Sequence, residues 1–441
     1  MQGADSLSRK NELPDLSMTA AFVPSEQSSY FANCRHAQSA IIEVSPGTSS
    51  VPPTGYGGSE RMIFGLAKGL SNTCDVIIMD FGPRKKNLIL DGVKISIVRN
   101  PFRITSNRGL MISTLNAFTS AFLLFFELKK RGSITPCTVL HFHHGAQFAV
   151  FSILQRVFAR EMRFCYVYSL HSPKWASPTL LSIWMRVATV PSELYAVDHS
   201  KLVTFESKGV VSGMATLHKL PHHFMVLQNG VDTDYFERGR YGTAREPWGV
   251  FYGARIKRQK DQLNVVRAMT KVTKKCPGAR LLLVGDPEEA DYFDDVKNEI
   301  SRLGFRNIVK LLPSVDIDSL NSLRASYPVH VIFSSYTGFD VAVGETFSLG
   351  VACILSRIPA LEGIAEHGKN CLLVPAKDPD ALAEAILELF GDKALRETIC
   401  QGARSTAVEK LSWASLSKAF LRECVKVCPP RQEIAAGDPR R

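Results

Sequence analysis

Short apolar runs recur along the chain and are mostly unbroken by polar positions. In the first half they are Ala40–Val44, Asp75–Met79, Val93–Val98, Val139–Phe142 and Phe164–Leu170. In the second they are Gly249–Ala254, Ala279–Gly285, Ile308–Leu312, Val329–Phe333, Cys353–Ser356 and Asn370–Val374. Runs this short, rich in β-branched residues, predict strands covered on both faces, as in parallel sheets. Helical patterns lie between them. Ser59–Leu70 places Ile63, Leu66, Ala67 and Leu70 on one face. Thr114–Lys130, Lys260–Val272, Ala290–Leu303, Ile317–Arg324, Val343–Leu349, Leu395–Lys410 and Trp413–Val427 continue the series. Asp378–Phe390 has Asp378 at its cap and Pro379 at its first position. Tyr195–Phe205 reads as a further strand region, and His223–Gln228 leads into an Asn229-Gly230 turn. The alternation predicts an α/β protein of two successive doubly wound halves, 38–228 and 229–410, with a last helix in 411–428. The polar segments 1–37 and 429–441 read as disordered ends.

Chemistry concentrates where strands end. Ser334–Ser356 (SSYTGFDVAVGETFSLGVACILS) begins at the end of one apolar run. A turn at Gly338 and a helix start follow, and Gly350 closes the helix. Such a loop aims backbone N–H groups at an anion. Glu345, expected in that helix's first turn, would repel a phosphate. It is either a partner for a neutral polyol such as ribose or a surface carboxylate favoured by the helix dipole. Gly57-Gly58, ahead of the first helix, would let backbone approach a ligand closely. Arg255 and Lys260 flank another helix entrance, a pair suited to phosphate. His171 follows the Phe164–Leu170 strand at the crevice edge, where a capped loop histidine is the alternative. His141, His143 and His144 have no carboxylate or cysteine spaced with them, so no metal site is expected.

The net charge of +11 is uneven. Met1–Gln228 holds 23 Lys and Arg against 14 Asp and Glu, whereas the remainder holds 30 against 28. A basic front half would attract an anionic partner. Zinc-finger spacing, an RNA-binding consensus and long basic blocks are all missing, which argues against nucleic acid. An anionic membrane surface is the alternative, with Arg84, Lys85, Lys86, Arg99, Arg103, Arg108 and Lys129–Arg131 as contacts. A solvated surface is the plain reading of the same charges. Ten scattered cysteines read as reduced thiols of a cytosolic protein. The most apolar run, Ala117–Phe126, is too short to span a bilayer; the helix that holds it, Thr114–Lys130, reads as core, with contact to lipid as the alternative.

Seven stretches together resemble the retaining GT-B glycosyltransferases of family 4. They are Pro52–Glu60 (PPTGYGGSE), Tyr168–Pro173 (YSLHSP), Val226–Phe236 (VLQNGVDTDYF), Phe251–Asp261 (FYGARIKRQKD), Leu281–Asp286 (LLLVGD), Ser334–Ser356 and Glu366–Ile386 (EHGKNCLLVPAKDPDALAEAI). The resemblance implies two Rossmann-like domains facing across a cleft, the first on the acceptor side and the second binding a nucleotide sugar. The helix near Trp413 would cross back to the first. It implies metal-independent transfer of a sugar from a UDP- or GDP-sugar to an acceptor hydroxyl, with retention and without a further cofactor. The acceptor, whether glycan, lipid-linked or small molecule, stays open. Arg255 and Lys260 would hold the diphosphate, Glu345 the ribose, and His171 the transferred sugar. Gly57 and Gly58 would lie between donor phosphate and acceptor, and Thr337, Gly338, Phe339, Asp340 and Val341 would form the donor loop.

Two positions depart from the family pattern. Thr337 stands where the first Glu of E-x7-E belongs, and Asp340 where a Gly belongs. A hydroxyl is a weaker acceptor than a carboxylate. The expected consequence is an active enzyme with altered sugar contacts. The alternatives are a non-catalytic nucleotide-sugar-binding relative and a GT-B epimerase. The implied setting is cytoplasmic, with peripheral attachment to the inner membrane face as its extension.

Overall fold

The computed structural model describes residues 40–47, 50–52, 58–101, 110–131, 138–171, 189–241, 246–335 and 339–428. Gly57, Thr337 and Gly338 lie outside the described residues, as do both segments expected to be disordered.

The front half forms a sheet of eight strands: β1 (Ala40–Val44), β2 (Asp75–Gly82), β3 (Lys86–Leu90), β4 (Val93–Arg99), β5 (Val139–Phe142), β6 (Cys165–Leu170), β7 (Leu202–Phe205) and β8 (Phe224–Val226). Their spatial order is β3-β4-β2-β1-β5-β6-β7-β8, with β3 antiparallel and the other pairs parallel. Helices α1 (Gly58–Ser71), α2 (Leu110–Arg131), α3 (Gly145–Phe158), α4 (Val190–His199) and α5 (Lys208–Leu217) cover it. Alternate strand residues enter different cores, as the two-residue period of a strand requires. Ile42, Val44, Leu140 and Phe142 pack under α2 to α5. Ile41, Val139 and Val167 pack on the opposite face, under α1 and the last helix of the chain.

The rear sheet has six parallel strands: β9 (Gly249–Gly253), β10 (Arg280–Val284), β11 (Val309–Leu312), β12 (Val329–Ile332), β13 (Ala352–Ser356) and β14 (Leu372–Val374). They are ordered β11-β10-β9-β12-β13-β14. Its helices are α6 (Gln262–Lys275), α7 (Ala290–Arg302), α8 (Ile317–Ser326), α9 (Val341–Ser348), α10 (Pro379–Gly391) and α11 (Lys393–Thr406). Helix α12 (Trp413–Val427) ends the described chain. In both sheets the strand order reverses beside the first strand, between β1 and β5 and between β9 and β12. Crevices at such points bind ligands in open α/β sheets.

Helix α12 leaves the rear domain and lies on the front one. Its Trp413 occupies the space a Cβ would need at Gly65, where the nearest ring atom would be 2.1 Å away. Ser417 crowds Gly69 in the same way, at 2.6 Å. Glycine in α1 therefore serves close helix packing. The chain is tied at this crossing by Val231 N donating to Leu411 O at 2.8 Å, and Trp413 N to Val231 O at 3.3 Å.

Some expectations are corrected. Tyr195–Phe205 is not one strand: Tyr195 lies in α4, and β7 starts at Leu202. Pro191, in α4's first turn, suits a helix start, and Ala196 and Val197 are that helix's core face. Edge strand β3 was not expected, yet the left-handed Asp91-Gly92 pair marks its hairpin turn. Cys165 and Cys428 are brought side by side, with their Cα atoms 6.1 Å apart.

Candidate functional site

The loops leaving β9 and β12 meet at the rear switch point. The Tyr252 hydroxyl lies 2.7 Å from Lys260 O and 3.0 Å from Phe333 O, and Ser335 N donates to Gln259 O at 3.2 Å. This fixes Lys260 beside the start of α9. Its ammonium pairs with the Asp340 carboxylate, and both side chains are mostly buried. Asp340 also caps α9, accepting from Ala342 N at 3.2 Å. Burial pushes the Asp340 carboxyl up, but Lys260 beside it outweighs this and holds it below the usual range. Arg255 leaves the same strand end and pairs with Glu288 at 2.7 Å. Each cation of the expected phosphate pair thus meets a carboxylate of the chain. Phe339 is buried with Val343 and Phe347, so its ring belongs to the core. Val341 is half-buried at the helix start.

Glu345 sits one turn deeper in α9 than expected and is 6% exposed, so it is not a surface carboxylate. Its Oε2 lies 2.7 Å from Arg324 Nη1. Its Oε1 lies 3.9 Å from Arg61 Nη1, on α1 of the front domain. The Glu345 carboxylate therefore spans from the rear core to the opposing domain. Truncating Arg324 would leave a buried carboxylate without its main partner. Arg324→Ala is expected to destabilise the protein by about 3–5 kcal/mol, measured by urea unfolding, with Glu345→Gln costing less.

The front wall is a polar row set by strand register. Glu43 on β1 pairs in register with His141 on the adjacent β5. Side chains two apart share a face, so His143 joins them. His141 Nδ1 lies 3.0 Å from Glu43 Oε1, and His143 Nε2 lies 2.8 Å from Glu43 Oε2. His141 Nε2 meets Ser169 Oγ at 2.7 Å, which meets Thr204 Oγ1 at 2.6 Å. His143 Nδ1 meets His171 Nε2 at 2.9 Å. Phe420 of α12 stacks on His141 at 4.8 Å and seals the row from below. The structure thus supplies the carboxylate that sequence spacing did not place with these histidines. Glu43, His141 and His143 each offer a ligand atom within 4.8 Å of the others, so the ground on which the sequence excluded a metal falls, while the Glu43 separations are those of shared protons.

The electrostatics follow. Burial pushes the Glu43 carboxyl up, but its two histidines more than offset this and lower it to about 2. Burial, reinforced by His141, lowers His143 to about 4 despite Glu43. Burial and the neighbouring His143 and His141 lower His171 well below its ordinary value. At neutral pH Glu43 is charged, and His143 and His171 are neutral. A carboxylate only accepts, so His143 carries its proton on Nε2 and offers Nδ1 as acceptor. His171 must then donate from Nε2, which makes Nδ1 its acceptor atom. Gly58, at the start of α1, adjoins open space: a Cβ there would meet nothing within 4 Å.

Arg324, Arg61, Glu43 and His143 are the additions to the residues expected from sequence. Arg61 directly follows the GGSE stretch and His143 lies in the HFHH run, whereas Arg324 and Glu43 carried no local signal.

Residues 246–392 match the model of the family Glycosyl transferases group 1. An uncharacterized glycosyltransferase of Methanocaldococcus jannaschii is 26% identical over 390 residues, covering 84% of this chain and 95% of the relative. Sucrose-phosphate synthase from Thermosynechococcus elongatus superposes with a TM-score of 0.70 at 18% identity, over 87% of this chain and 98% of the other. Anabaena HepE, solved in complex with UDP, gives 0.66 at 17% identity, over 88% and 100%. Two parallel-sheet domains with polar residues gathered at both switch points give the chain the GT-B fold, and its sequence is similar to glycosyltransferases. Its rear domain carries the match to Glycosyl transferases group 1, which includes Arg255, Lys260, Arg324 and Glu345.

Proposed function

We propose that the protein transfers a hexosyl group from a nucleotide-diphosphate sugar to an acceptor hydroxyl, with retention of configuration and without a metal. The arrangement of Lys260 at the start of α9, with Glu345 one turn on, carries this reading. A donor diphosphate would take the place of Asp340 on Lys260, with Arg255 as its second cation. The Glu345 Oε1 edge would accept from ribose hydroxyls. The bond between the sugar's anomeric carbon and the diphosphate oxygen breaks, and the acceptor oxygen bonds that carbon from the same face. The acceptor proton passes to the leaving phosphate. Lys260 and Arg255 stabilise the charge that grows on it, the task a metal would otherwise perform. His171, neutral and accepting through Nδ1, would receive a hydrogen bond from a sugar hydroxyl without repelling a cationic anomeric centre. The UDP in the HepE complex supports a uridine nucleotide among the UDP- and GDP-sugar donors.

One observation favours the non-catalytic reading: Asp340 already neutralises Lys260 and caps α9. The two readings part on donor turnover. The protein is expected to consume one of UDP-, GDP- or ADP-sugars in the presence of EDTA and to give a product of unchanged anomeric configuration. Nucleotide binding with no turnover of any donor would select the non-catalytic relative. Asp340→Asn keeps the cap but removes the competing charge. The donor KM is expected to fall about tenfold, a difference of about 1.4 kcal/mol, with kcat unchanged. A rise in KM would mean that Asp340 contacts the sugar.

The positive front half extends the reading to attachment at an anionic membrane from the cytoplasmic side. Among the described residues no helix is long and apolar enough to cross a membrane.

A further inference from the structure

Helices α2 and α3 lie together over one face of the front sheet, and each buries only one side. Ala117, Ala121, Leu124 and Leu128 of α2 enter the core. The opposite stripe of α2 is also apolar: Leu115, Phe118, Phe122 and Phe126 are 49%, 44%, 45% and 62% exposed. Their spacing of three, four and four residues places them in one line along the helix. On α3, Ile153, Val157 and Phe158 are 52%, 58% and 62% exposed. Lys129 joins the two helices, donating from Nζ to Phe158 O at 3.2 Å. Seven of the thirteen large hydrophobics exposed among the described residues therefore fall on two neighbouring helices. Single exposed apolar residues are ordinary, but a contiguous patch is not.

The patch has a mostly basic rim. From Leu115 to Phe164 the chain holds six Lys and Arg and two Glu. One of those, Glu127, is engaged by Lys85 at 3.0 Å and Arg131 at 3.5 Å. Lys129, Lys130 and Arg131 close α2, while Arg156 and Arg160 end α3 and follow it. Phenylalanines on a face edged by long basic side chains suit the boundary between acyl chains and anionic headgroups. The stems of Lys and Arg lie along apolar surface while their charges reach outward. A second copy of the chain would bring like charges together around the same patch.

We propose that the outer face of α2 and α3 is a docking surface for an anionic lipid bilayer. It rests on the membrane attachment proposed above and names the face that carries it, and it does not depend on the transfer chemistry. Of the basic residues named from sequence, Lys129, Lys130 and Arg131 close α2 and Lys85 reaches Glu127 on it.

The test is flotation of the full chain with phosphatidylcholine vesicles, with and without phosphatidylglycerol. The protein is expected to float with the anionic vesicles and to detach as salt rises. Phe122→Ser, Phe126→Ser and Phe158→Ser combined should weaken flotation about tenfold or more, while thermal melting and donor-nucleotide binding stay as in the unaltered chain. Lys130→Gln and Arg160→Gln should each weaken it about fivefold. Failure of the unaltered chain to float overturns the proposal. So does undiminished flotation of the triple variant, or a lipid-free dimer that the triple variant abolishes. Donor binding is scored separately, so loss of the transfer reading would leave this result standing.

Discussion

Lys260→Ala is expected to lower kcat/KM for the sugar donor by about a thousandfold, mostly in kcat. Charge on the leaving diphosphate grows as the sugar–oxygen bond breaks, so a fixed cation there is worth more in the transition state than in the ground state. Removing one such preorganised group costs about a hundred- to a thousandfold, and a full charge in a sheltered position belongs at the upper end. The substitution has a second effect, because it strips Asp340 of its partner in a mostly buried site. The double variant Lys260→Ala/Asp340→Asn separates the two. It should restore the melting temperature but not the transfer. Arg255 is about half exposed and shares Glu288 with Lys257, so Arg255→Ala should cost less. A double variant that still turns over donor within tenfold of the unaltered chain would remove Lys260 from the chemistry.

The rear half of the site was legible for a physical reason. Strands such as Val329–Ile332 are buried on both faces, so their sequence is an unbroken apolar run that stops where the functional loop starts. Lys260, Asp340 and Glu345 follow such endings by 7, 8 and 13 residues. Helix α10 was marked by Asp378, which does cap it by accepting from Ala381 N at 2.9 Å. Helix α3 was harder to read, because Phe148 and Phe151 face the core while Ile153, Val157 and Phe158 face outward. An apolar helix with no polar side leaves no helical period to find. The front wall was hidden differently. Glu43 and His141 are 98 residues apart, and only the order β1-β5-β6 brings them together with Ser169 and His171. No carboxylate is spaced with the HFHH run in sequence, which argues there against a metal site, and Glu43 on β1 is the carboxylate that spacing could not show. Arg324 is likewise silent in sequence, since its role depends on α8 lying against Glu345.

Glu43→Gln is expected to lower kcat by about a hundredfold or more while leaving nucleotide affinity nearly unchanged. Glu43 accepts from both His141 and His143, which sets the tautomers that follow. Glutamine offers one acceptor and one donor. If its amide donates to His143 Nε2, that ring must carry its proton on Nδ1 and donate to His171 Nε2. His171 would then carry its own proton on Nδ1 and present a donor where the sugar hydroxyl needs an acceptor. A wrong tautomer in an otherwise intact site is known to cost catalysis heavily. Glu43→Asp keeps an acceptor on both sides and should recover part of the rate, which a purely packing role would not predict. The same groups set the acid limit of the fold. His143 is lowered from 6.5 to about 4 and Glu43 from 4.5 to about 2. Below pH 6.5 the unfolded chain takes up a proton on His143 that the folded chain refuses, so stability falls as pH drops towards 4. The contribution of Glu43 is complete above 4.5 and is lost as pH falls towards 2. Each is of order 3 kcal/mol if the shift is fully expressed. Urea midpoints from pH 7 to 4 should therefore decline steadily for the unaltered chain. His143→Asn should reduce the slope between 6.5 and 4 without abolishing it, because buried His171 is lowered too and loses stability below 6.5 in the same way; a decline of unchanged slope would place the acid-sensitive group elsewhere.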